Sequence, residues 1–171
     1  MNRLRHLKII LNHDIALFVI GRVARGLQYV HDYRDANDEF LGLVHRDVSP
    51  ENILVDRFGR IKVADFGLTR PARELHTEEE GEAAGKLLYC SPEQLEGRTL
   101  DARSDIYNVG LLLYFMLTNM DRFAPEINAD ESRERIRSKL KQSPLKDLEH
   151  VPERIARICE KCLQEAPDDR Y

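Results

Sequence analysis

The apolar residues Ile20, Val23, Ala24, Leu27 and Val30 recur at three- and four-residue intervals. That period marks one face of an α-helix and predicts a long amphipathic helix over residues 14–31, with Asp14 as its cap. The polar stretch 32–40 predicts a loop. Two short apolar runs, Ile53-Leu54-Val55 and Ile61-Lys62-Val63, flank Asp56-Arg57-Phe58-Gly59-Arg60, and this alternation of strand and turn chemistry predicts a β-hairpin. Residues 68–86 are polar, acidic and rich in small side chains, which predicts a mobile surface loop. Ser91-Pro92-Glu93-Gln94 carries a helix start, with Ser as cap, Pro at the first helical position and Gln at the third. Ser104 or Asp105 then opens an apolar helix running to about residue 118. Its richest part, 109–117, falls well short of the roughly 20 residues that span a bilayer, so it predicts a buried helix. Two more helices are predicted near 131–140 and 152–163, and no internal repeat is present.

Composition narrows the class. A chain of 171 residues suits one domain, and 42% hydrophobic with 33% charged residues suits a soluble globular protein. The net charge of −4 gives no reason to invoke nucleic acid or an anionic membrane. The apolar run at 9–11 is too short for the core of a signal peptide. Three cysteines, Cys90, Cys159 and Cys162, are too few and too odd for a secreted disulfide framework, so a reducing cytoplasm is the expected location. Cys159 and Cys162 form a CxxC, but with Ile155, Ile158 and Leu163 they recur at helical spacing on one apolar face, which makes them core residues.

The chemistry sits in the middle of the chain. The run from His45 to Leu54 reads His-Arg-Asp-Val-Ser-Pro-Glu-Asn-Ile-Leu, and Asp65-Phe66-Gly67 begins 18 positions after Asp47. HRD, an Asn five residues after the Asp, a short apolar strand and DFG at fixed separations are the catalytic and metal-binding loops of protein kinases. Turn chemistry alone does not require this set. The chain resembles the C-terminal lobe of the protein kinase family over nearly its whole length, residues 1–171. The catalytic loop would span 43–54 and the activation segment 65–93, with the last helix truncated. The fold class expected is mainly α, α+β overall: a helical lobe with a short β-hairpin beside the catalytic loop. VHRDVSPENILV and GKLLYCSPEQL are similar to a bacterial branch of the serine/threonine kinases.

Phosphoryl transfer requires an aligned acceptor oxygen and a neutralised triphosphate more than covalent help. Asp47 has the position to accept or orient the proton of the substrate hydroxyl. Asn52 and Asp65 offer hard oxygens suited to Mg²⁺, with Mn²⁺ as a substitute, beside ATP. The resemblance also implies that His45 and Phe66 stack in a hydrophobic spine, that Leu54 lies beneath adenine and that Glu51 faces the substrate peptide. It implies that Asp105 braces the HRD backbone, and that Glu93 of the Ser-Pro-Glu motif forms a buried ion pair with Arg170.

Two departures from the family pattern occur together. Serine/threonine kinases usually carry Lys two residues after the catalytic Asp and Thr after the Gly that precedes the Ala-Pro-Glu motif; this chain has Ser49 and Lys86 there. An exchange would let Lys86 return the charge that stabilises the transferring phosphate while Ser49 supplies the hydroxyl. The alternative is that Lys86 is a solvated loop residue. Tyrosine-kinase loops place Arg near positions 49–51, which here hold Ser, Pro and Glu. Arg46 before Asp47 resembles kinases whose activation loop is captured after phosphorylation, with Thr77 as the site. The acidic run Glu78, Glu79, Glu80 and Glu82 is an alternative partner for Arg46, or a solvated face.

The glycine-rich phosphate loop and the ATP-gripping lysine of the family do not occur in these 171 residues. The N-terminal lobe is therefore expected to be absent from this chain. Three readings stay open: the catalytic lobe of a serine/threonine kinase that phosphorylates a protein substrate, an incomplete fragment or pseudokinase acting through protein binding, and one half of a split kinase whose N-terminal lobe comes in cis or in trans. The isolated chain is expected to be inactive.

Overall fold

The computed structural model describes residues 10–66, 69–71, 88–119 and 148–171. Gly67, Thr77, Lys86, the acidic run at 78–82 and the helix expected near 131–140 lie outside the described residues.

Helix α1, His13–His31, buries the stripe Ala16, Val19, Val23 and Leu27; of the face expected from the period, Val23 and Leu27 are buried and Ile20, Ala24 and Val30 half-buried. Its cap is Asn12 rather than Asp14: the Asn12 side chain accepts a hydrogen bond from the Asp14 amide at 2.8 Å. Asp14 sits instead in the first turn, where a negative charge meets the positive end of the helix dipole. The stripe packs on α3, Ala102–Thr118, and Leu11 N–H bonds the Met116 carbonyl at 3.2 Å.

Helix α3 is the centre of the molecule. It begins at Ala102, earlier than Ser104 or Asp105, because Asp101 caps it by accepting from Arg103 N–H. Asn119 closes it in the left-handed conformation, φ 56°, donating its N–H to Phe115. Between those ends nearly every side chain is buried, including Leu112, Leu113, Phe115 and Leu117. Each such side chain contributes about 1.5–3 kcal/mol, and a helix apolar on all sides needs neighbours all round. One neighbour is α4, Glu153–Cys162. Gly110 makes the approach close: a Cβ at that position would stand 2.7 Å from Cys162 Cβ. Cys159 is buried and donates to the Gly110 carbonyl at 3.6 Å. Burial pushes the Cys162 thiol up to about 11, and all three cysteines are free. The CxxC is core.

The strands are small and antiparallel. β2, Ile53–Val55, pairs with β3, Ile61–Val63, in the register Ile53 with Val63 and Val55 with Ile61. The Asp56 carboxylate accepts from the Phe58 and Arg60 amides at 2.8 and 3.0 Å, and Gly59 takes φ 75°, which closes the turn. β3 rests on α1. β1, Leu43–Val44, pairs with β4, Arg70–Pro71. Of this second pair, β4 lies inside the stretch 68–86 expected to be loop, because strands of two residues carry no periodicity to read. A further helical turn, α2, Pro92–Leu95, sits beyond, with Ser91 as its cap. The fold is mainly helical with two small antiparallel sheets among the described residues. No described helix is long and apolar enough to cross a membrane.

Candidate active site

β1 delivers the chain into His45-Arg46-Asp47, and Arg46 emerges with φ 71°. A non-glycine residue holds that conformation only where its surroundings impose it. Three side chains from other elements do so. The Asp105 carboxylate, on α3, accepts from the His45 amide at 2.8 Å through one oxygen and from the Arg46 amide at 2.9 Å through the other. His31, the last residue of α1, donates from Nε2 to Asp105 at 2.7 Å. On the opposite side of Arg46, Gln94 of α2 donates from Nε2 to the Arg46 carbonyl at 2.8 Å. Asp105 is wholly buried, and a carboxylate there is tolerable only because these donors replace water.

The loop then turns through Pro50–Asn52, a single 3-10 turn, into β2. Asn52 Nδ2 donates to the Asp47 carbonyl at 2.8 Å, while the Asn52 carbonyl accepts from Ala64 N–H at 2.8 Å. Asn52 thereby joins the segment carrying Asp47 to the segment carrying Asp65. Asp65 also has a left-handed backbone, φ 62°, and is exposed. Phe66 meets buried His45 edge-on, centroids 4.7 Å apart at 63°. Ser49 is buried; Glu51 and Leu54 are exposed.

Glu93 and Arg170 meet at the base of this assembly, 77 residues apart in sequence. Arg170 donates to both Glu93 oxygens, at 2.7 and 2.9 Å, and to the backbone carbonyls of Arg103, Glu165 and Gln164. All five guanidinium donors are used. Ser104 donates to Glu93 at 2.7 Å, and Arg170 stacks over Tyr107. Burial opposes ionisation of Glu93, but the bonds from Arg170 and Ser104 outweigh it and hold the carboxyl below its ordinary value.

The structure thus brings Asp47, Asn52 and Asp65 to one surface segment and sets His45, Phe66, Asp105, Glu93 and Arg170 around it. Ser49 is placed without Lys86, and Arg46 without Thr77 or the acidic run, because those partners are outside the described residues. Among the described residues no three His, Cys, Asp or Glu side chains cluster as a metal site. The oxygen set on offer is a carboxylate from Asp65 and, with Nδ2 committed to Asp47, the Oδ1 of Asn52. Such hard donors fit a divalent cation that also takes phosphate oxygens. Two contributors were not found from the sequence. His31 ends a helix with no motif around it, and Gln94 reads only as part of a helix start.

The protein kinase domain model matches residues 1–171. The chain is 34% identical over 164 residues to tyrosine-protein kinase MasK of Myxococcus xanthus, covering 93% of this chain and 25% of that protein. It is 32% identical over 158 residues to serine/threonine-protein kinase PknB of Mycolicibacterium smegmatis, covering 91% and 24%. To serine/threonine-protein kinase PknL of Mycobacterium tuberculosis it is 35% identical over 130 residues, covering 76% and 32%. The chain therefore spans about a quarter to a third of the length of these relatives. With the domain model matched along the whole sequence and the Asp105-braced loop in place, this chain belongs to the protein kinase family.

Proposed function

We propose that this chain is the catalytic lobe of a protein serine/threonine kinase, a partial kinase domain that transfers the γ-phosphate of ATP to a Ser or Thr hydroxyl of a protein. Family membership implies ATP, a divalent metal and a protein substrate. The observation that carries the reading is the double grip of Asp105 on the His45 and Arg46 amides, which supports a pre-set Asp47. In it, Asp47 takes the proton of the acceptor hydroxyl as that oxygen attacks the γ-phosphorus, and ADP departs. Asn52 and Asp65 would hold Mg²⁺, or Mn²⁺, whose charge when bound neutralises the phosphates. Lys86 supplies the cation that Ser49 replaces in the loop, Arg46 receives a phosphate on Thr77, Leu54 lies under adenine and Glu51 faces the substrate.

The exposure of Leu54 and Phe66, roughly half of each side chain, supports a second lobe in cis or trans that covers them and completes the nucleotide site. Free cysteines support a cytoplasmic setting. The acceptor class rests on Ser49-Pro50-Glu51, which lacks the Arg of tyrosine kinases.

The test is phosphotransfer by the full-length protein with MgATP and a general protein substrate, followed by phosphoamino-acid analysis. Phosphoserine or phosphothreonine is expected, and Asp47→Asn lowers kcat by about 10²–10⁴ without a change in folding. Phosphotyrosine as the main product overturns the acceptor class. An Asp47→Asn variant as active as the parent overturns the mechanism.

A further inference from the structure

Gln94 is too well connected for a helix start. Its Oε1 accepts from the Ser91 amide at 2.9 Å, completing the capping box of α2, and its Nε2 donates to the Arg46 carbonyl at 2.8 Å. Asn108 of α3 donates to the same Oε1 at 3.3 Å and also to the Tyr89 carbonyl. Gln94 is buried, so none of these bonds is exchanged for water at no cost.

The geometry around Arg46 shows what this achieves. Two peptide planes flank that residue. The first, between His45 and Arg46, carries the Arg46 N–H held by Asp105 at 2.9 Å. The second, between Arg46 and Asp47, carries the carbonyl held by Gln94 at 2.8 Å. Arg46 lies at φ 71°, an orientation an Arg backbone leaves when released. Asp105 restrains one plane only. The plane that directly sets where the Asp47 Cα stands is restrained at its carbonyl by Gln94 at 2.8 Å and at its N–H, more loosely, by His45 Nδ1 at 3.3 Å, with Asn52 holding the Asp47 carbonyl that follows.

We infer that Gln94 is a positioning residue that fixes the Arg46–Asp47 peptide plane. Through it, the segment 88–95 is mechanically joined to Asp47: any displacement of α2 pulls on the carbonyl next to the residue that takes the substrate proton. Asp105 and Asn108 are three residues apart on one face of α3, so the same buried helix holds both clamps in register. The inference rests on the kinase reading for its effect on turnover, but not for its effect on the loop.

The informative variant is Gln94→Glu in the full-length protein. A carboxylate at this position keeps the acceptor that the Ser91 amide needs, as Glu does in capping boxes generally. It removes the donor to Arg46 and sets oxygen against oxygen. The expected result is a kcat lowered about ten- to a hundredfold, KM for MgATP and for substrate within about twofold, and an unchanged far-ultraviolet spectrum. Hydrogen exchange at residues 45–48 is expected to quicken, with α4 unchanged. Turnover within about twofold of the parent, or a fall in turnover with unchanged exchange at 45–48, overturns the assignment. If the parent transfers no phosphate, or Asp47→Asn is as active as the parent, the kinase reading fails instead; exchange at 45–48 in Gln94→Glu then decides the clamp on its own. If Gln94→Glu unfolds, Gln94→Met, of similar length and without donor or acceptor, takes its place under the same outcomes.

Discussion

The inner layer of this molecule and its candidate catalytic face obey opposite rules. Around α3, three buried ionic groups are answered: Arg170 spends all five donors, Glu93 takes three bonds, and Asp105 takes two amides and an imidazole. At the face a few ångströms of chain away, Asp65, Phe66, Glu51 and Leu54 are exposed, and Arg46 and Asp65 carry left-handed backbones. The contrast teaches that the two layers are one device. The left-handed backbone of Arg46, which leads into that face, is held by hydrogen bonds from the buried Asp105 and Gln94 side chains beneath it.

The largest effect expected on this contrast comes from Arg170→Ala. It leaves the buried Glu93 carboxylate without its cation and removes the bonds Arg170 gives to three backbone carbonyls, and loss of one partner of a buried pair costs about 3–5 kcal/mol. Denaturant unfolding is expected to show that loss. A variant within about 1 kcal/mol of the parent would mean that the inner layer is not the anchor described. Gly110→Ala comes next. The added methyl stands 2.7 Å from Cys162 Cβ and 3.0 Å from Leu163, so α4 must shift, at a cost of about 1–3 kcal/mol. On the exposed side, Phe66→Ala removes an edge-on contact with His45 worth about 0.5–1.5 kcal/mol; its melting point is expected to fall least of the three while phosphotransfer falls most.

Acid provides the gentlest probe. Glu93 binds its proton less readily when folded than when unfolded, so its share of stability is complete above the unfolded carboxyl value of about 4.3 and is lost as pH falls from there through the folded value. Unfolding midpoints followed from pH 7 to pH 3 are expected to drop more steeply in the parent than in Glu93→Gln. Parallel curves would remove Glu93 from the acid response. Cys162, whose thiol is pushed up to about 11, is expected to resist alkylation at pH 8 until the protein unfolds.

Much of this was legible along the chain wherever one short stretch carries the whole signal. Helix α1 follows from period alone, with Val23 and Leu27 of its expected face buried and Ile20, Ala24 and Val30 half-buried; the β2–β3 hairpin follows from its Asp and Gly, and the start of α2 from Ser91 and Gln94. Helix beginnings were displaced by one to three residues because Asn12 and Asp101 take the caps ahead of Asp14 and of Ser104 or Asp105. The β1–β4 pairing was invisible, since two-residue strands are stabilised by their partner and not by their own sequence. The Glu93–Arg170 pair was reached through family resemblance, as nothing local relates residues 77 apart.

The sequence by itself determined the chemistry on offer: a carboxylate, an amide and a second carboxylate at spacings that membership in the protein kinase family explains. Their order along the chain is enough for that, because one short stretch, the catalytic loop and the hairpin that follows it, carries them. Only the tertiary structure decided how they are held. Asp105 and Gln94 come from two different helices to the two peptide planes around Arg46, and His31 comes from a third to the Asp105 carboxylate. A hydrogen bond depends on distance and direction, and those are set by how helices pack, not by how far apart residues lie in sequence.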